Sequence, residues 1–126
     1  MMIKYHVIFG LIVSLLLCPI YRLNVLIIFF SSILIDVDHY IVYICKFKSF
    51  DIFKARKYFI GKKNSSLLIF HTSEFLLVLL LFSFYYRLAF FVLVGVLAHF
   101  LLDIYNEIGV KYIRRFPSII FYLIKK

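Results

Sequence analysis

The chain has 126 residues, of which 65% are hydrophobic, and its mean hydropathy is +1.04. A soluble domain is roughly 45–50% apolar, so this composition excludes an ordinary soluble core and predicts an integral membrane protein surrounded by lipid. The formal net charge of +9 would favour nucleic-acid binding in a soluble protein. In a membrane protein, basic loops beside the spans account for the same charge, so nucleic acid is a disfavoured partner.

Four apolar stretches follow one another along the chain, each near the roughly 20 residues that a helix needs to cross a bilayer. They predict spans over about 3–20, 23–44, 66–86 and 88–104. A backbone in lipid must satisfy its own hydrogen bonds, which helices do. We therefore expect an all-α fold: an integral membrane four-helix bundle in a single transmembrane domain, 1–126.

The segments outside the spans are basic or short. Lys46–Lys63, between the second and third spans, mixes seven cations with aromatic and apolar residues, which predicts a basic amphipathic segment on anionic lipid. The side chains of Asn64–Ser66 are suited to start the third helix. The stretch 116–126 is too short to cross, so we expect an interfacial tail. The first span, with Lys4 as its basic start, also resembles a signal peptide, and that alternative stays open.

All four histidines and four of the six acidic residues lie near the ends of predicted spans. They are His6, Asp36, Asp38, His39, His71, Glu74, His99 and Asp103. Spans one and three carry them near their starts, and spans two and four carry them near their ends. Because consecutive spans alternate in direction, these positions meet at one face of the membrane. Ionisable side chains at membrane depth are costly and usually functional, so we predict one shared site.

The basic residues assign this face to the cytoplasm. The short connections on the opposite side carry only Arg22 and Arg87. The cations on the side of the predicted site are Lys4, those of Lys46–Lys63, Lys111, Arg114 and Arg115. Cytoplasmic loops carry the excess of Lys and Arg. We therefore expect a multi-pass protein of the cell (inner) membrane, with its site near the cytoplasmic face.

Imidazole and carboxylate groups are common ligands of zinc, manganese and iron. Several of the polar residues are spaced three or four apart, so each pair shares a helix face. These pairs are Asp36 with His39, His71 with Glu74, and His99 with Asp103. We predict one or two divalent metal ions, with zinc first and manganese or iron as alternatives. The predicted ligands are His6, Asp36, Asp38, His39, His71, His99 and Asp103.

Two acidic residues have other predicted positions or roles. Asp38 is two positions from Asp36 and would point away from it on an unbroken helix, so it lies at a helix end or orients a ligand from outside. Glu74, one turn from His71, is the predicted general base. Because the metal would lie at the membrane, we expect a hydrolase of a phosphoester or lipid-like substrate, with a lipid phosphate as the natural candidate.

Three other interpretations use the same features of the sequence. The polar side chains can serve as hydrogen-bonding groups that hold the helices together. A proton or ion carrier uses the same residue types, although here they gather at one face and do not continue through the membrane. The third interpretation is a non-enzymatic membrane module that docks a cytoplasmic partner through Lys46–Lys63.

The order of these motifs resembles that of the membrane-bound metal-dependent hydrolases, the YdjM-like inner-membrane family. That family has an early His before a Gly, a Pro-Asp-x-Asp-His motif, a His before Ser, and a Gly followed by His-x-x-x-Asp. The corresponding segments here are 6–10, 35–39, 70–74 and 95–103. The resemblance implies a metal-dependent hydrolase with these histidines and aspartates as ligands.

The chain departs from the family pattern at two positions. Ile35 stands in place of the Pro, which changes the helix end. The Arg-Gly pair that often precedes the third motif is missing before His71. That second departure removes a cation suited to hold an anionic substrate, so the resemblance does not extend to the substrate class.

Overall fold

The structure, a computed structural model, describes residues 3–61, 68–109 and 118–124. Every regular element in these ranges is helical, which confirms the all-α prediction. The helices are α1 (Ile3–Tyr21), α2 (Val25–Leu34), α3 (Val37–Phe47), α4 (Ile52–Gly61), α5 (Ser73–Ser83), α6 (Arg87–Gly109) and α7 (Ile119–Ile124). Short 3₁₀ turns lie at Arg22–Asn24 and Ile69–His71.

Some predictions concern residues outside the described ranges. They are the helix start at Asn64–Ser66, the cations Lys62, Lys63, Lys111, Arg114 and Arg115, and the two ends of the tail 116–126. Within that tail the described part is the short helix α7.

Two helical stretches are long and apolar enough to cross a membrane. They are Lys4–Phe47 and Arg87–Tyr105, and few residues of the first are buried within the protein. The first stretch reverses direction at Arg22, where the backbone has a positive φ of 51°. The apolar helix α5 has only 11 residues. The described chain therefore has two candidate membrane stretches, one of which is folded back on itself.

The direction of each helix follows from pairs of contacting residues. His6 of α1 lies beside Asp36, and Gly10 lies beside Ser32 of α2, so α1 and α2 run antiparallel. Gly95 lies against the α2 backbone at Ile28, and His99, four residues later, contacts Ser32, four residues after Ile28. Helix α6 therefore runs parallel to α2. The directions of α1, α2 and α6 therefore place the polar residues of these helices at the same end.

The second predicted span, 23–44, is two helices and not one. After Leu34 the chain makes a turn at Ile35 and Asp36, and α3 starts at Val37. The turn is closed by short-range hydrogen bonds, from the Asp36 N–H to the Ile33 carbonyl and from the His39 N–H to the Asp36 carbonyl. This break changes the directions of the acidic side chains, so Asp36 and Asp38 are not held two positions apart on one regular helix.

The third predicted span, 66–86, is also shorter as a regular helix. Thr72 has an extended backbone with ψ of 152°, and its hydroxyl accepts from the Phe75 N–H at 3.2 Å. Thr72 is thus the N-cap that starts α5. Against α5, Val96 and Phe100 of α6 form a buried core with Ile35. This apolar core lies directly beside the polar residues at the ends of the helices.

The basic segment packs against the end of α3. The Lys46 ammonium donates to the Tyr58 hydroxyl at 2.8 Å, and Tyr40 donates to the Phe50 carbonyl at 2.7 Å. Asp51 caps α4 by accepting from the Lys54 N–H at 3.0 Å, and this hydrogen bond lowers the pKa of the Asp51 carboxyl. The described part of the predicted segment is therefore a turn followed by a basic helix.

Two glycines let α1 and α6 approach α2 closely. A Cβ atom added to Gly95 would overlap the backbone carbonyl of Ile28 as well as the Ser31 hydroxyl. A Cβ atom added to Gly10 would overlap only the side-chain hydroxyl of Ser32, which can rotate. Both glycines lie inside helices that pack against α2. They differ in the atom that would have to move, which is a backbone carbonyl at Gly95 and a side-chain hydroxyl at Gly10.

We expect Gly95→Ala to destabilise the fold by about 1–3 kcal/mol, because overpacking against a backbone atom forces α2 and α6 apart. Gly10→Ala is the matched control. The Ser32 hydroxyl beside Gly10 can move, and Ala is a better helix former than Gly. We therefore expect the free energy of unfolding to change by close to zero. The measurement is the free energy of unfolding in mixed micelles. Equal destabilisation by the two substitutions would contradict the packing described here.

Candidate metal centre

The structure brings together all seven residues that the sequence predicts as metal ligands. Four separate parts of the chain deliver them: α1, the α2–α3 turn with the start of α3, the 3₁₀ turn before α5, and α6. Three sets have ligand atoms that all lie within 4.8 Å of one another. The sets are His6 with Asp36 and His99, Asp36 with His39 and His71, and His71 with His99 and Asp103.

The Asp36 carboxylate approaches all four histidines. Its Oδ1 atom is 3.5 Å from His39 Nδ1, 3.7 Å from His99 Nε2 and 3.8 Å from His71 Nε2. Its Oδ2 atom is 4.0 Å from His6 Nε2. Most of these separations are too long for hydrogen bonds. The Nε2 atoms of His71 and His99 suit ligands that face a common centre with Asp36 Oδ1, because ligands of one cation are not bonded to one another.

Asp103 lies on the other side of the same histidines. One turn after His99 on α6, its Oδ2 atom is 3.3 Å from His99 Nε2, and its Oδ1 atom is 3.5 Å from His6 Nε2. The i, i+4 spacing puts both side chains on one face of the helix. Asp36 and Asp103 therefore flank the imidazole nitrogens from two different segments of the chain.

Asp38 contacts the imidazoles from outside. Its Oδ1 atom is 2.9 Å from His39 Nδ1, and its Oδ2 atom is 3.0 Å from His71 Nδ1. Oδ2 also accepts from the Phe70 N–H at 3.2 Å. A carboxylate that takes the second ring N–H of a histidine fixes which nitrogen keeps its lone pair. The geometry matches both descriptions that the sequence allowed for Asp38, since it lies in the first turn of α3 and contacts the imidazoles from outside.

The Nε2 atoms of His71 and His99 face each other at 3.3 Å. The Ser32 carbonyl can only accept, so His99 Nδ1 is the donor of their 2.8 Å hydrogen bond. Asp38 takes the Nδ1–H of His71 in the same way. With these tautomers both Nε2 atoms carry lone pairs. Two nitrogen ligands of tetrahedral zinc, each at 2.0–2.1 Å, lie about 3.3–3.4 Å apart, so the spacing fits two ligands of one ion.

His6 completes the nitrogen donors. Its ring stacks on that of His99, with centroids 4.0 Å apart and planes 12° from parallel. The His6 Nε2 atom faces the two carboxylates, at 4.0 Å from Asp36 Oδ2 and 3.5 Å from Asp103 Oδ1. The donor set therefore fits a divalent metal held by imidazole nitrogens and carboxylate oxygens.

The ion pairs of the cluster also favour a bound cation. Asp36, Asp38 and Asp103 form ion pairs only with histidines among the residues that the structure describes. Partly buried carboxylates need compensating positive charge. Within the described ion pairs the partners are imidazoles, which supply that charge when they are protonated or when they share a metal ion with the carboxylates.

One edge of the cluster is open. The side chains of Asp36, His39 and Asp103 are 25%, 26% and 31% exposed, whereas those of His6 and His99 are almost fully buried. The buried imidazoles form the floor, and the two carboxylates with His39 form the rim. The carboxylate side is therefore the more exposed side of the cluster.

Glu74, the predicted general base, lies outside the three sets of ligand atoms. Its carboxylate accepts from the Ser118 hydroxyl and from the Ile119 N–H, the latter at 3.2 Å, and so binds the start of α7 to the start of α5. The spacing from His71 does not reveal this, because Thr72 ends the 3₁₀ turn before α5 begins. The geometry gives no support to a role in proton transfer, which stays a prediction.

Sequence reasoning missed the groups that hold the imidazoles in place. The Ser32 carbonyl, which fixes His99, is a backbone atom and leaves no signal in residue type. The turn at Ile35 and Asp36 also lacks the Pro or Gly that usually announces a break. A usable signal was present in Ser31 and Ser32, since small polar residues in an apolar span are typical of close helix contacts.

Comparison of the chain with protein-family models, with curated proteins and with solved structures gives no match. The resemblance to the YdjM-like hydrolases therefore stays an expectation that depends on the four motifs alone.

We expect Asp38→Asn to weaken metal binding by about 10–100-fold, because an amide cannot take both imidazole N–H groups as a carboxylate does. His99→Ala, which removes a donor from the floor, should weaken it further. Asp51→Asn, a change at the cap of α4, is the matched control and should leave affinity unchanged. The measurement is zinc and manganese affinity of the purified protein by competition with chelators. Equal affinities for Asp38→Asn and Asp51→Asn would contradict the assigned role of Asp38.

Proposed function

We propose that the chain is a multi-pass protein of the cell's inner membrane that hydrolyses a phosphoester or lipid-like substrate at a divalent metal centre near the cytoplasmic face. The observation that carries the proposal is the convergence of seven imidazole and carboxylate side chains from four parts of the chain. Ionisable groups gathered at the ends of apolar helices are expensive, and a metal centre accounts for the number, type and spacing of these donors.

The membrane assignment is supported by the outward faces of the helices. Leu15 and Leu16 of α1 are 63% and 72% exposed, and Leu81 of α5 and Leu88 of α6 are more than half exposed. Contiguous apolar surface of this kind is rare on soluble monomers, and lipid would cover it. We propose α1, α2–α3, α5 and α6 as the four crossing segments, of which α5 is the shortest, with 11 residues.

The depth of the centre favours a lipid substrate. At 1.5 Å per residue, His99 lies about 18 Å along α6 from Arg87, and the hydrocarbon core is about 30 Å thick. If Arg87 marks the far surface, the centre lies below the level of the cytoplasmic headgroups. A substrate that is already in the membrane reaches such a centre more directly than one dissolved in water.

The buried imidazoles and the exposed carboxylates of the cluster have different roles. The imidazoles of His6, His71 and His99 would hold a divalent cation, which when bound would supply Lewis acidity to a phosphoester or ester oxygen. Asp38 holds His71 in the tautomer that presents Nε2 to the centre. Asp36 and Asp103 lie at the open edge, where a carboxylate can accept a proton from an attacking water. Both are better placed for this than Glu74, which is engaged with Ser118.

We expect the purified protein in lipid vesicles to release phosphate from a lipid phosphate, and Asp103→Asn to lower kcat by at least about 100-fold, as loss of a general base does. Asp51→Asn is the control and should keep full activity. Removal of divalent metal with a chelator should abolish phosphate release, and added zinc or manganese should restore it. Phosphate release that persists unchanged in excess chelator would reject the metal-dependent mechanism.

A further inference from the structure

An apolar groove of about 460 Å³ lies beside the metal centre. Its lining residues come from α2, from the 3₁₀ turn and first residues of α5, and from α6. Ile27, Phe30 and Leu34 line it from α2, and Phe75 lines it from α5. Ser31 is the one polar residue in this lining, and its hydroxyl donates a hydrogen bond to the Ile28 carbonyl at 3.1 Å. The groove therefore offers a hydrocarbon surface and almost no hydrogen-bonding groups.

One end of the groove lies next to the segments that carry the cluster. Its lining residue Ile35 immediately precedes Asp36, and its lining residue Phe70 immediately precedes His71. Val96 lies in the lining one turn before His99. From this end the groove follows α2 back to Leu26, a length of about 13–14 Å at 1.5 Å per residue. A molecule lying in the groove would thus end beside the segments that carry the imidazoles and carboxylates.

We propose that this groove binds the hydrocarbon chain of a lipid phosphate whose headgroup lies at the metal centre. This inference rests on the proposed function and names its substrate class. The apolar lining suits a chain, and a centre with bound cations suits an anionic headgroup. Leu34 and Phe30 are 57% and 54% exposed, so the groove is open along its side, where a lipid can enter from the bilayer.

The size of the groove suits a small molecule. Its volume lies within the roughly 300–1,000 Å³ range of small-molecule sites.

The first test uses a long-chain alkyl phosphate that carries a diazirine near the end of its chain. After irradiation of the vesicle-embedded protein, we expect adducts on groove residues such as Phe30 and Phe75, mapped by mass spectrometry. Ile27→Trp, which fills the groove far from the centre, should lower the yield at these residues by at least about tenfold. Val78→Trp on the exposed outer side of α5 is the matched control and should leave the yield unchanged. Adducts confined to the outer surface of the helices would overturn the proposal.

The second test separates the chain from the headgroup. Each buried methylene strengthens binding about fourfold, so blocking a few of them with Leu34→Trp should raise KM for a chain-bearing phosphoester about tenfold or more. KM for p-nitrophenyl phosphate, which has no chain, should not change. Leu34 is exposed, so this variant should fold even if Ile27→Trp does not. Equal effects on the two substrates would overturn the groove assignment.

The two tests also separate this proposal from the hydrolase proposal. Adducts in the groove without hydrolysis of either substrate would reject the enzymatic function and leave a lipid-binding groove. Metal-dependent hydrolysis with adducts only outside the groove would reject the groove and leave the enzyme. A dimer that Ile27→Trp dissociates, measured by native mass spectrometry, would identify a second copy as the occupant and overturn the lipid assignment.

Discussion

The facing lone pairs of His71 and His99, 3.3 Å apart, are the contact on which the rest of the structure depends. The Nδ1 atom of each ring is held by a hydrogen bond, His71 Nδ1 by the Asp38 carboxylate and His99 Nδ1 by the Ser32 carbonyl. These hydrogen bonds fix the orientation of both rings. Lone pairs in such positions repel unless a cation or a proton lies between them. Asp36 and Asp103 add negative charge to the same point. The helices are thus arranged around a place that requires positive charge.

Close helix packing is what makes this contact possible. Gly95 lets α6 lie against the α2 backbone, and Gly10 lets α1 approach Ser32. Each glycine is four residues from a histidine on the same helix face, so the close approach is transmitted directly to the rings of His6 and His99, which stack at 4.0 Å. The Gly and His of these motifs therefore have linked roles. The glycine allows the helices to lie close together, and the histidine one turn away then reaches the other side chains of the cluster.

Helical structure and the meeting of distant polar residues were predictable, because hydropathy indicates apolar helices and alternation of their direction brings the polar ends together. The seven grouped residues come from both halves of the chain, and their grouping needed no knowledge of side-chain geometry. The local breaks were not predictable. Ile35–Asp36 turns without a Pro or Gly, and Thr72 ends a 3₁₀ turn inside a stretch that reads as one span. These breaks give Asp38 its outer position and separate Glu74 from the cluster, since both depend on backbone directions that residue spacing does not report.

The most direct test of the account is the ligand shell of the metal in the wild-type protein, measured by metal analysis with X-ray absorption spectroscopy in detergent or lipid. The account predicts one or two divalent ions per chain, with imidazole scattering and with nitrogen and oxygen ligands at about 2.0–2.2 Å. Protein that is metal-free after gentle purification and takes up none on titration, or an ion whose shell lacks imidazole, would contradict it.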